Sequence, residues 1–130
     1  MFTIEAIKAA HAKVKTGADY PAYVRDIIAM GVTAYETRVS DGNTIYFGAG
    51  SFQIQSGPKY GSIRVSDKSD QAKFLEDLKA HQRGATDFPT FCVDSAKSGI
   101  EKWVADLSAM TCTYFDKAGT VLVVESIPGL

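Results

Sequence analysis

The sequence has no long hydrophobic run and almost no net charge. None of its apolar stretches approaches the roughly 18 residues of a membrane-spanning helix, and the N-terminal MFTIEAIKAAH lacks the basic start and the cleavage site of a secretory signal. The 14 Lys and Arg residues nearly balance the 15 Asp and Glu residues, which gives no electrostatic reason to bind phosphate backbones or anionic lipid. We therefore expect a cytoplasmic protein without a membrane partner, and the composition does not support a nucleic-acid partner.

Cysteines and ligand-binding motifs are also scarce. Cys92 and Cys112 are the two cysteines, and the chain has no CxxC spacing, so we expect free thiols rather than a disulfide or a metal site. The glycine-bearing segments 48–51 and 56–58 carry no P-loop lysine and open no predicted helix, so we interpret them as turns rather than as a phosphate cradle. The sequence thus predicts no metal and no cofactor.

A short motif occurs twice in the chain, as GADYP at 17–21 and as GATDFP at 84–89. The 130 residues, 45% of them hydrophobic and 22% charged, are typical of one globular domain covering 1–130. Asp87 lies 68 positions after Asp19, and the same shift pairs aromatic, Gly and Pro positions along the rest of each half. We interpret this pattern as an internal duplication. The two halves are approximately 3–56 and 69–126.

Each half carries two helix signals followed by strand signals. Apolar residues at helical spacing, Pro21 and Pro89 in first turns, and glycines after the last turn predict the helices. Asp41-Gly42 between two β-branched or aromatic runs predicts a hairpin. This order predicts an α+β fold in which each half is a helix-helix-antiparallel meander. The expected helices are Ile4–Val14 with Gly17 as its cap, Tyr20–Gly31, Ser69–Arg83 and Phe88–Gly99; the expected strands are Val32–Val39, Thr44–Phe47, Ser51–Gln55, Ile100–Leu107, Thr111–Phe115 and Thr120–Glu125, with a further strand at Ser62–Val65.

The two histidines occupy matched helix stripes. A shift of 67 aligns His11 with Leu78 and Val14 with His81, so each histidine stands where the other half has an aliphatic residue. This favours a half-buried, hydrogen-bonded structural histidine at both positions over a catalytic or ligand-binding one. The catalytic alternative stays open, and His81 is a candidate site residue.

Cys92, Asp26 and Asp94 are the other candidate site residues. Cys92 aligns with Val24, which favours a small core residue, and a nucleophilic Cys92 would need an adjacent base that the sequence does not place there. Asp26 and Asp94 repeat in both halves and could face each other, sharing a proton or holding a divalent cation. Solvated helix surface is the favoured interpretation of the pair.

The aromatic residues of the strands also repeat. Tyr35 aligns with Trp103 and Tyr46 with Tyr114. Such residues could stack on nucleic-acid bases, but no basic residues interleave with them. Their repetition at matched positions favours core packing.

Segments along nearly the whole chain resemble the YbcV-like family of short bacterial and prophage proteins, often labelled "phage envelope protein". The resemblance is carried by the segments 79–82, 86–92, 99–107 and 110–116, and by Gly31-Val32-Thr33, Tyr35-Glu36-Thr37 and Tyr46-Phe47-Gly48. It implies one compact domain of unknown function and supplies no catalytic residues.

Two functions follow from these observations. The absence of a motif with catalytic spacing favours a non-enzymatic binding or interaction protein, a prophage-derived accessory factor that acts as a homo-oligomer or with a protein partner. The alternative is a small enzyme or ligand-binding protein that uses Cys92, His81 or the Asp26 and Asp94 pair. The sequence names no ligand for either function.

Overall fold

A computed structural model describes residues 2–15 and 17–127. A set of two helices followed by three strands occurs twice along the chain, and we call each set a round. The predicted α+β fold with an antiparallel sheet is confirmed. A short 3-10 turn, Gly17–Asp19, connects the first two helices. In chain order the elements are α1 (Ile4–His11), α2 (Tyr20–Met30), β1 (Ala34–Arg38), β2 (Thr44–Phe47), β3 (Gln53–Gln55), α3 (Gln71–Gln82), α4 (Phe88–Lys97), β4 (Lys102–Asp106), β5 (Thr111–Phe115) and β6 (Val121–Ser126).

Local chemistry explains four of the eight ends of the described α-helices. Thr3, Asp70 and Asp87 each accept a hydrogen bond from a backbone N–H in the first turn of α1, α3 and α4, which satisfies a donor that has no partner inside the helix. At the other end of α2, Gly31 takes the left-handed conformation with φ of 107°. The sequence predicted the glycine after α2 from a local signal, whereas Asp19, the counterpart of Asp87, accepts from the backbone N–H of Lys15 instead of capping α2.

Gly17 has a different role from the predicted helix cap. Helix α1 ends at His11, several residues earlier, and Gly17 opens the 3-10 turn. A Cβ atom on Gly17 would lie 2.1 Å from the backbone oxygen of His81, at the end of α3. Glycine is therefore required here because the two halves of the chain approach each other closely at this point.

The sheet has the strand order β3-β2-β1-β4-β5-β6, and all neighbouring strands are antiparallel. The two rounds meet along β1 and β4, where Glu36 pairs with Val104, the residue 68 positions further along the chain. The Glu36 carboxylate also accepts a hydrogen bond from Lys102 Nζ at 3.3 Å. The sheet is thus centred on equivalent positions of the two rounds, while their origin by duplication stays a prediction.

Strands β1, β3, β4 and β6 begin one or two residues later than the sequence predicted. The amides of Val32 and Ile100 donate to Ile27 and Ser95 carbonyls and so complete the preceding helices instead of joining the sheet. The predicted strand at Ser62–Val65 is wrong: the segment pairs with no strand, and its Ile63 N–H donates to Ser40 O at 2.7 Å. Its buried Val65 explains the hydrophobic pattern that suggested a strand.

The helices pack against one face of the sheet. Along β1, β2, β4 and β5, buried residues alternate with half-buried or exposed ones, as expected for strands covered on one side. The buried set includes Tyr35, Tyr46, Trp103 and Tyr114, at the matched positions that predicted core packing. Among the described helices, none is long and apolar enough to cross a lipid bilayer.

Candidate functional site

A cavity of about 80 Å³ lies between the helices and the covered face of the sheet. We call it the interlayer cavity. Its lining on the sheet side includes Tyr35, Thr37, Tyr46, Trp103, Cys112 and Tyr114. Its lining on the helix side comes from all four helices and includes His11, Tyr20, Tyr23, Leu78, His81 and Phe91. Both rounds of the chain contribute, so the cavity depends on the contact between them.

Two pairs of tyrosines join the helices to the sheet. The hydroxyls of Tyr20 and Tyr35 lie 2.5 Å apart, and those of Tyr23 and Tyr46 lie 3.2 Å apart. Burial raises the pKa of each of these four phenols, so all four remain protonated at neutral pH. Each pair uses one O–H hydrogen internally, and Tyr46 also has a hydrogen bond with Thr44, so one further donor remains on the Tyr20 and Tyr35 pair.

Glu125 on β6 places a carboxyl group at the interlayer cavity. Its Oε1 accepts a hydrogen bond from Tyr114 at 3.0 Å and its Oε2 accepts one from Gln82 at 2.6 Å. Burial raises the pKa of Glu125, and these two hydrogen bonds oppose the effect because they stabilise the ionised form. Both oxygens of this carboxyl group therefore already have a donor from the protein.

Lys59, in the loop after β3, brings a positive charge to the same cavity. Although the residue as a whole is exposed, its Nζ donates to Thr44 Oγ1 at 3.1 Å, and Thr44 is only 1% exposed. The same Nζ lies 5.7 Å from the centre of the Phe88 ring. Burial of this ammonium group lowers the pKa of Lys59 to about 8, so it is still mostly charged at neutral pH.

The two histidines line the cavity wall and are half-buried. His11 contacts the rings of Tyr23 and Phe88 edge-on, each at 5.2 Å between ring centres. Burial, and next the charge of Lys59, lower the pKa of His11 to about 4, so this imidazole is neutral at pH 7. His81 stacks on Phe91, and its Nδ1 lies 3.1 Å from Thr86 Oγ1. Burial also lowers the pKa of His81.

Cys92 lies outside the cavity lining, on α4. It is fully buried, and burial raises the pKa of its thiol to about 11. This direction is opposite to that of an activated nucleophilic cysteine. Cys112 does line the cavity, and burial raises the pKa of its thiol to about 12.

Asp26 and Asp94 are half-buried on α2 and α4, and neither lines the cavity. The charge of Asp94 acts on Lys73 of α3. In residues 2–15 and 17–127, no group of three or more His, Cys, Asp or Glu side chains is arranged to hold a metal ion. Of the four candidate residues, the structure thus brings only His81 to the interlayer cavity. Catalysis by any of them stays a prediction.

Sequence reasoning missed Lys59, Glu125 and the hydroxyl pairs of the tyrosines. A usable signal was the choice of tyrosine over phenylalanine at core positions, because a buried tyrosine hydroxyl needs a hydrogen-bond partner. Lys59 lies in a loop and Glu125 in an edge strand, where charged residues are ordinary. Neither position had a sequence feature that connects it with the cavity.

Comparison with known proteins gives a family but no function. A family model described as "Protein of unknown function (DUF1398)" matches residues 8–126. A search of curated proteins found no match to the chain. The matched range includes every helix and strand from α2 to β6 and every residue of the cavity lining. The chain therefore belongs to the DUF1398 family, whose function is unknown.

Proposed function

We propose that this protein binds a small organic molecule in the interlayer cavity without transforming it. The observation that carries the proposal is the lining itself: aromatic rings enclose a small volume into which a few polar groups project. Binding sites for small molecules are typically apolar enclosures with a small number of placed polar groups. The tyrosine hydroxyls are such groups, and the Tyr20 and Tyr35 pair has one further O–H hydrogen to donate.

The protonation states also favour binding over catalysis. The phenols have raised pKa values and His11 has a pKa of about 4, so these groups do not change charge near neutral pH, and burial also lowers the pKa of His81. General acid-base catalysis works best with a group whose pKa lies near the working pH. The uncharged phenols and the His11 imidazole therefore suit recognition by hydrogen bonds, while Lys59 brings a positive charge to the same cavity.

The alternative is a small enzyme that uses Cys92, His81 or the Asp26 and Asp94 pair. His81 has the best position of the four because it lines the cavity. Reaction of Cys92 with a thiol reagent in the folded protein tests the cysteine version. Rapid modification with a low apparent pKa would support an enzyme, whereas the raised pKa of this thiol leads us to expect modification only after unfolding.

We further propose a bacterial, cytoplasmic accessory factor of prophage origin, acting as a homo-oligomer or with a protein partner. The resemblance of segments such as 86–92 and 99–107 to the YbcV-like family supports this origin. Native mass spectrometry of protein purified from its own host tests ligand binding and association with another chain, since it detects a retained ligand and an associated chain in one measurement. A bare monomer would count against both.

A cavity-filling substitution tests the binding site directly. Val14 lines the cavity, so Val14→Trp is expected to occupy part of its volume, while Val93→Trp makes the same change at an exposed position outside it. Thermal-shift screening with small organic molecules is expected to give hits for the wild type and for Val93→Trp. Loss of those hits in folded Val14→Trp supports the proposal, and equal hits in all three proteins would overturn it.

A further inference from the structure

We propose that the ligand of the interlayer cavity is a small organic anion, a carboxylate of a few non-hydrogen atoms whose charge pairs with the ammonium group of Lys59. This inference rests on the proposed function, because it names the ligand class of the same cavity. Three observations carry it: an ammonium group without a counter-charge, unused donors near it, and a carboxyl group elsewhere that is already hydrogen-bonded.

The Lys59 ammonium group has no ionic partner within the described part of the chain. Ion pairs there are made by other basic residues, such as Lys102 with Glu36 and Lys73 with Asp77. After burial, the groups that act on the pKa of Lys59 are Cys92 and Lys8, and neither is a carboxylate. A partly desolvated ammonium group without a negatively charged partner is energetically unfavourable. Of the three N–H donors of this ammonium group, Thr44 Oγ1 accepts one.

Further donors lie on the same side of the cavity. The charge of Lys59 acts on His11, so the two groups are close in space. The neutral imidazole of His11 carries one N–H, and no hydrogen-bond acceptor for it occurs among residues 2–15 and 17–127. The two N–H donors of Lys59 that Thr44 does not use add to it. A carboxylate accepts several hydrogen bonds and donates none, which matches this surplus of donors.

The arrangement around Glu125 disfavours a cationic ligand. Both oxygens of this carboxyl group already accept a hydrogen bond, from Tyr114 and from Gln82. A cation would therefore gain less from Glu125 than an anion gains from Lys59, and Lys59 would repel it. The charge that needs a partner in this cavity is the positive one.

The cavity volume limits the ligand to a few atoms. An engineered protein cavity of about 150 Å³ admits benzene, and a water molecule in the liquid occupies about 30 Å³. The interlayer cavity, at about 80 Å³, therefore suits a carboxylate of the size of propionate. With its carboxylate at Lys59, the ligand would place its alkyl chain against rings such as Phe88 and Trp103, which line the cavity.

The experiment uses propionate and its uncharged analogue propionamide, titrated at constant ionic strength into ¹⁵N-labelled protein. Two-dimensional NMR spectra report the affinity and the residues whose signals move. For the wild type we expect shifts at cavity residues and propionate affinity about tenfold above that of propionamide, the gain from one added charge-assisted contact. Lys59→Met is expected to remove this preference, and Lys13→Met, at an exposed position outside the cavity, is expected to keep it.

The outcomes separate this inference from the proposed function. Equal binding of both probes in the cavity of the wild type would overturn the anion assignment and leave small-molecule binding standing. A preference that survives in Lys59→Met would overturn the role of Lys59. Absence of cavity shifts with either probe would overturn the anion assignment, and the Val14→Trp comparison would then decide the proposed function separately.

Discussion

Acidification is expected to destabilise this protein through His11, and His11→Leu should remove that part of the effect. The folded pKa of His11 is about 4, against 6.5 for an exposed histidine, so the unfolded chain binds a proton in this range while the folded protein does not. Stability contributed by the neutral imidazole is therefore present above pH 6.5 and is lost as the pH falls toward 4. Leucine is a suitable replacement because the aligned residue of the other half is Leu78.

The magnitude follows from the two pKa values. The full shift corresponds to an upper limit of about 3 kcal/mol, and since His11 is only half-buried, solvent reduces the expected value to about 2 kcal/mol at pH 4.5. The free energy of unfolding falls by about 1.5 kcal/mol for each molar of urea. Between pH 7 and pH 4.5, the urea midpoint of the wild type should therefore fall by about 1 M more than the midpoint of His11→Leu does.

Urea unfolding followed by far-ultraviolet circular dichroism measures this difference at both pH values. The carboxylates that titrate in the same range are present in both proteins, so their contributions cancel in the comparison. Glu125, whose raised pKa gives the opposite pH trend, cancels in the same way. Equal midpoint losses in the wild type and in His11→Leu would refute a neutral, desolvated imidazole at this position.

Two further substitutions test the contacts that form the cavity. Gly17→Ala is expected to destabilise the protein by about 2–4 kcal/mol in urea unfolding, because a Cβ atom there collides with the backbone of His81; an unchanged midpoint would refute the close approach. Tyr114→Phe removes a donor to Glu125 and should cost about 1–3 kcal/mol at neutral pH, and less in acid, where the carboxyl group is protonated. A loss that does not depend on pH would mean that this hydrogen bond does not stabilise the charged carboxylate.

Much of the backbone could be predicted because its determinants are local. Strands β2 and β5 have the predicted bounds, and Asp41-Gly42 forms the predicted connection between β1 and β2. Pro89 lies in the first turn of α4 as expected, since a proline there loses no hydrogen bond inside the helix. The prediction of a strand at 62–65 was wrong because contacts with distant residues, such as the hydrogen bond of Ile63 to Ser40, determine the structure of this segment.

The candidate site was less predictable for the same reason. His81 was singled out and does line the cavity, whereas Lys59 and Glu125 were not singled out. A lysine in a loop has the same local sequence character whether its ammonium group is in water or bonded to a buried threonine. Burial and the absence of a counter-charge arise only when distant segments pack together.

The sequence by itself determined the order of helices and strands, most of their ends to within two residues, and the apolar stripes, because these depend on neighbours within a few residues along the chain. Only the tertiary structure decided that the two rounds join along β1 and β4, that Gly17 meets His81, and that tyrosines from helices and strands meet around a cavity. The physical reason is that hydrogen-bond pairing and burial between distant segments depend on which surfaces come together, and that choice is made by the packing of the whole chain.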